Sequence, residues 1–304
     1  MSSRSLWKRS LLALLAPVLL FASCGSEVGA PDEPADAAKD LRIVSLSPTA
    51  TEMLYAIGAG DQVVAVDSLS TYPAEVTPKV TKISAYEPSA EAILGYEPDL
   101  VLISNDMGGI KAQLEGVSSR KITVWTGAAA ASLDDVYDQI TQLGEVTGRV
   151  GAAADLIESM KSRTSAAIDF VLSKPAGTSE KLYYYELDNT YYTVTSNSFV
   201  GSLMKKFGLD NIADGVDPGN DYPQLSAEMI VKAAPQFIFL ADTKCCGQTA
   251  ETVSARPGWG AIPAVTNNAI LELDDDIAHR WGPRVVDLVE QVAAFLQPDF
   301  VPGS

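Results

Sequence analysis

Histidine is almost missing from this chain of 304 residues, which carries only His279. Sites for a bare zinc or manganese ion gather several His, Asp or Glu ligands, usually with histidine prominent, so direct capture of such an ion is not expected. Cysteine is scarce as well, with Cys24 near the start and the adjacent pair Cys245 and Cys246. Basic side chains number 22 against 39 acidic ones, giving a formal charge of −17. That imbalance argues against nucleic acid and anionic lipid surfaces as partners, although it leaves room for a locally basic pocket. The apolar run Leu11 to Ala22 is too short for a good membrane span.

What the chain does have begins with an export signal over residues 1–23: Arg4, Lys8 and Arg9, then the apolar run, then Ala22-Ser23. Phe21-Ala22-Ser23-Cys24 resembles a bacterial lipobox, with Phe21 where leucine is usual, which implies that Cys24 becomes the lipidated first residue. Residues 24–40, rich in Ala, Pro, Asp and Glu without apolar periodicity, read as a flexible tether. The remainder is long enough for two ordinary domains, each with its own core.

The stretch over 149–172 reads as one helix, with apolar residues at Val150, Ala153, Ile157, Met160, Ile168 and Val171. At ~1.5 Å per residue it spans about 36 Å, enough to join two lobes. A repeat supports that role. Ser89-Ala90-Glu91, Ile93 and Pro98 precede the apolar run 100–103, and Ser226-Ala227-Glu228, Ile230 and Pro235 precede the run 237–240 at the same offsets. One helix-turn-strand unit is therefore expected on each side of the long helix. The domain reading is an N-terminal lobe over 41–148, the linking helix over 149–173 and a C-terminal lobe over 174–304.

In the first lobe, Arg42 to Leu46 reads as a strand, Ser47-Pro48-Thr49 as a helix start and Val63 to Val66 as a second strand. Residues 100–103 and 122–125 follow as further strands. Strands alternating with helices predict α/β lobes with mostly parallel sheets and a ligand cleft beyond the strands' carboxyl ends. In the second lobe, residues 181–187 and 191–194, with Asp188-Asn189 between them, predict a tyrosine-rich hairpin.

Together, Arg42 to Val66, Tyr72-Pro73, the two Ser-Ala-Glu units, the middle helix and Asp276 to Arg284 resemble the substrate-binding proteins of bacterial ABC importers for cobalamin and ferric siderophores. The resemblance implies two α/β lobes joined by one rigid helix, a ligand cleft between them, and no catalysis. It also implies that Glu91 and Glu228 dock to arginines of the permease. Two exposed carboxylates on rigid lobes would fix orientation by two separated charge contacts. The alternative use of two acids is a hydrolase, but equivalent repeat positions do not give an acid and a base the different surroundings they need.

The cleft candidates are Tyr72, Tyr86, Asn105, Tyr222, Trp259, Arg280 and Trp281, placed at loops after strands. Aromatic rings of this kind suit a large ligand of mixed surface. The metal is expected inside the ligand's organic chelate, with no cofactor of the protein's own. Cobalamin, haem and ferric siderophore all remain open. Arg280 and Arg284 favour an anionic siderophore, with a structural ion pair at a helix start as the other reading of Arg284. His279 is open between axial ligand and surface residue. Cys245 and Cys246 are open between a strained vicinal disulfide, free thiols and a bridge to a partner. The expected whole is a monomeric, lipid-anchored receptor on the extracytoplasmic face of the membrane.

Overall fold

The computed structural model describes residues 41–117, 121–174 and 181–303. The export signal over 1–23, the tether over 24–40 and Cys24 lie outside the described residues. In the first half the elements are β1 (Ile43–Leu46), α1 (Pro48–Ala56), β2 (Val63–Val66), α2 (Ala90–Leu94), β3 (Leu100–Ile103), α3 (Ile110–Glu115), β4 (Thr123–Thr126) and α4 (Leu133–Thr147). Helix α5 (Val150–Ser173) leads to the second half. There the elements run β5 (Leu182–Glu186), α6 (Phe199–Lys206), β6 (Asp210–Asn211), α7 (Ala227–Ala233), β7 (Phe237–Leu240), α8 (Thr243–Cys246) and α9 (Ala250–Ser254). The chain finishes with α10 (Pro263–Thr266), β8 (Ile270–Glu272), α11 (Asp275–Ala278) and α12 (Val285–Leu296).

Both halves build a four-stranded sheet of one topology, β2-β1-β3-β4 and β6-β5-β7-β8, with every pairing parallel. The composition of the central strands follows from this. Ile-Val-Ser-Leu in β1 and Leu-Val-Leu-Ile in β3 are buried at every position, because a parallel sheet covered by helices has no wet face. Strand β5 obeys the same rule, and here the expected hairpin is corrected. Tyr183, Tyr184 and Tyr185 are each fully buried, and β5 pairs in parallel with β6 and β7. The stretch after the turn does not pair back as a strand; Leu187 N donates to Tyr192 O, and Tyr192 forms one antiparallel bridge with Gln224.

Local signals place the helices. Ser47 Oγ accepts from Ala50 N and Pro48 opens α1, while Ser89 and Ser226 cap α2 and α7 through the amides of Ala92 and Met229. Helix α4 was not anticipated. It begins with a reciprocal Ser132–Asp135 capping box and stops at Gly148, whose φ of 71° turns the chain directly into α5.

The apolar interior of the two sheets is connected through α5. One continuous cluster runs from Ile43, Met53 and Leu102 through Met160 and Val171 of α5 to Tyr185, Phe239 and Val289. Smaller clusters cover the outer face of each sheet. Helix α5 stands between α4 and α12, so the last helix of the chain closes the core that the first strand opens. Among the described residues, no helix is long and apolar enough to cross a membrane.

Candidate functional site

A cavity of about 340 Å³ lies at the carboxyl ends of the first sheet's strands, where open α/β sheets take ligands. Leu46, Pro48 and Thr49 reach it from the turn after β1, Leu69 from the loop after β2, and Ser104 and Asn105 from the loop after β3. Tyr86 forms one rim, and His279, Arg280 and Trp281 cross over from the second half. Tyr86, Asn105, Arg280 and Trp281 are thus brought together, a side of aromatic rings and polar tips.

The other three cleft candidates are not part of it. Tyr72 lies against Arg284, whose guanidinium carbon sits 3.9 Å from the ring centroid, in a different cavity of about 670 Å³ between α1, α5 and the start of α12. That space is larger, but the arginines on its wall are already matched: Arg163 to Asp287 and Glu290, Arg284 to Glu52. It also stands away from the strand ends, so the smaller cavity is the better ligand site. Tyr222 is exposed on a loop of the second half, outside the lining of the smaller cavity. Trp259 is corrected outright: it is fully buried, stacked on Tyr191 and edge-on to Tyr184, and presents nothing to a ligand.

Trp259 instead covers an internal charge cluster below the ends of β5 and β7. Arg256 donates to both oxygens of Glu186 at 2.6 Å, while its guanidinium carbon lies 4.7 Å from the Trp259 ring centroid. Asp242 is fully buried beside them, and neither of its oxygens has a conventional donor. Burial, reinforced by the charge of Glu186, pushes the Asp242 carboxyl up to about 7. Asp67, at the end of β2, is a milder case. One oxygen accepts from the amides of Leu69 and Ser70 at 2.8 and 2.7 Å, the other has no partner, and burial raises the carboxyl.

Arg280 at the cavity and Arg284 behind it are not free to meet an anion. Glu52, on α1 and 3% exposed, accepts from Arg280 Nη1 at 3.1 Å and from Arg284 Nε at 2.9 Å, and Arg280 Nη2 also pairs with Asp276 at 2.8 Å. The Trp281 indole donates to Gln139 Oε1 at 3.3 Å on α4. For Arg284 the ion-pair reading is the one realised. Glu52 and Gln139 escaped the sequence analysis. The signal for Glu52 was there: a single acid inside Ala50-Thr51-Glu52-Met53-Leu54, where every neighbour is buried.

Glu91 and Glu228 both stand exposed in the first turns of α2 and α7, one on each half. Cys245 and Cys246 are free, exposed thiols, which corrects the vicinal disulfide. They sit in the helical turn α8, where consecutive side chains diverge by ~100° because a helix has 3.6 residues per turn. Asp275 holds that turn by accepting from the amides of Lys244 and Cys245 at 2.9 and 2.8 Å. No three His, Cys, Asp or Glu side chains converge as metal ligands among the described residues.

Comparison with known proteins agrees with this fold. The periplasmic binding protein family profile matches residues 43–277. An uncharacterized ABC transporter substrate-binding lipoprotein of Bacillus subtilis is 33% identical over 261 residues, covering 85% of this chain and 80% of its own. A protein of Halobacterium salinarum named as cobalamin-binding is 32% identical over 263 residues, covering 83% and 68%. Among solved structures, the periplasmic vitamin B12-binding protein BtuF of Vibrio cholerae superposes with a TM-score of 0.68 at 26% identity, over 84% of this chain and 96% of its own. These relatives are substrate-binding transport proteins rather than enzymes, which sets the two-carboxylate hydrolase aside.

Proposed function

The chain belongs to the periplasmic binding protein family, and from that premise we propose that it is the extracytoplasmic receptor of an ABC importer for a metal held in an organic chelate, a corrinoid ahead of a ferric siderophore or haem. The observation that carries the ligand class is the wall of the 340 Å³ cavity: Tyr86 and Trp281 offer flat amphipathic faces, Asn105 a polar tip, and Arg280 is already paired with Glu52 and Asp276. A wall of that kind suits a ligand of mixed surface with little net charge, and so reverses the preference for an anionic siderophore drawn from the arginines alone. A chelate larger than the cavity would seat one edge here and extend toward the second half. The name of the Halobacterium relative is consistent with a corrinoid.

The partner in this reading is the permease, met by Glu91 and Glu228. The protein acts as a monomer without a cofactor, and a lipid at Cys24 holds it to the membrane, as the name of the Bacillus relative supports. The test is an absorption and calorimetric titration of the purified protein with cyanocobalamin, haemin and a ferric hydroxamate. Micromolar or tighter binding of cyanocobalamin is the expected result. Tyr86→Ala should weaken it by about 1–3 kcal/mol, as truncation of buried contact aromatics does, and Tyr222→Ala should cost less. Saturable binding of haemin alone, or of the hydroxamate alone, would replace the corrinoid.

A further inference from the structure

We infer that Glu52 is a specificity-determining residue: by clamping Arg280 and Arg284 from behind the ligand wall, it keeps that wall electrically neutral and so makes the protein discriminate against chelates carrying net negative charge. The inference rests on the chelate-receptor reading above and adds a selectivity mechanism to it.

The geometry has three parts. First, Glu52 belongs to α1 of the first half, whereas both arginines arrive from the other end of the chain, separated from it by 228 and 232 residues. Gly282 lies between them, so close that a Cβ there would stand 3.1 Å from Glu52 Oε2; the segment 280–284 is wrapped around this one carboxylate. Second, of the two arginines only Arg280 lines the ligand cavity, and its charge is shared between Glu52 and Asp276, while Arg284 is turned away under Tyr72. Two carboxylates thus face two guanidinium groups, and Lys244, which reaches Asp276 at 3.1 Å from the other side, is matched by Asp274 at 2.6 Å. Third, Asp67, whose carboxyl feels the charge of Arg280, is an acid, and the chain as a whole carries −17. Nothing in this arrangement attracts an anion, although Arg280 lines the cavity and Arg284 stands behind it.

A buried carboxylate bonded by two guanidinium groups could be explained as a stability device alone, so the test must read selectivity. Glu52→Gln keeps the shape and one acceptor while removing the charge, leaving two guanidinium groups facing Asp276 only. The probes are cyanocobalamin, as a chelate without net negative charge, and ferric citrate, as an anionic one. Expected for Glu52→Gln is a gain of about tenfold or more in ferric citrate affinity that weakens as salt is raised, as an unscreened charge close to the ligand implies. Cyanocobalamin affinity should change much less. The double variant Glu52→Gln with Arg284→Met should return the ratio toward the original. If Glu52→Gln does not fold, Asp276→Asn, at a partly exposed position, frees Arg280 from one partner and should shift the ratio in the same direction by a smaller factor. A folded variant with an unchanged ratio overturns the inference. Should the unaltered protein bind neither probe while Glu52→Gln takes up ferric citrate, the corrinoid reading falls and the charge clamp stands; if neither protein binds either probe, both fall.

Discussion

Asp242 sits in surroundings unlike water. It is fully buried, its oxygens lack donors, and the neighbouring Glu186 already occupies Arg256 through two hydrogen bonds. One guanidinium cannot neutralise two buried carboxylates, so the second keeps its proton, and the carboxyl is raised from the ordinary aspartate value of 3.8 to about 7. An acid raised on folding holds its proton more tightly in the native state. The stability it supplies is complete below about pH 4 and is lost as the pH climbs through about 7. Asp242→Asn carries a neutral side chain at every pH. Urea unfolding from pH 4 to 8 should therefore show the unaltered protein losing stability relative to the variant as pH rises, with most of the difference developed by pH 7. A constant difference across the range would place the proton elsewhere.

At the scale of elements, the repeat is what the sequence made legible. Ser-Ala-Glu followed by Ile and Pro became a capped helix feeding the third strand of each half, because serine capping and a buried apolar run are local properties. Helix α5 was legible for the same reason and lies one residue from its expected bounds. The tyrosine hairpin failed because three consecutive tyrosines read as a half-wet strand, whereas only the helices packed on both sides reveal a fully buried one. Trp259 failed similarly: its position after β7 looked like cleft wall, and only the fold shows Arg256 and Glu186 beneath it. The two capped helices also carry a prediction. Replacing Glu91 and Glu228 together by alanine should slow uptake severalfold at limiting ligand, with either change alone giving less, because two separated charges fix orientation better than one. Ligand affinity of the purified double variant should stay unchanged; its loss would remove these residues from the docking role.

For the molecule as a whole, rigidity comes from more than one connection. Helix α5 has no internal proline, and its one glycine, Gly151, sits in the first turn. Arg163 ties its middle to Asp287 and Glu290 on α12, and Glu52 fastens the crossing segment to α1. Small-angle scattering of the free and loaded protein should give nearly superimposable profiles, since a hinge rotation would have to break these ties as well as bend α5. A clear drop in the radius of gyration on loading would mean that the halves move despite these ties. The Glu52 clamp has one more consequence, in the order of events during synthesis. A ribosome making this chain finishes Glu52 and the whole of the first sheet long before Arg280 and Arg284 exist, and a charge that must be buried next to absent partners holds back completion of that half. Truncation of the chain before Arg280 should therefore leave the first half short of its final packing around Glu52.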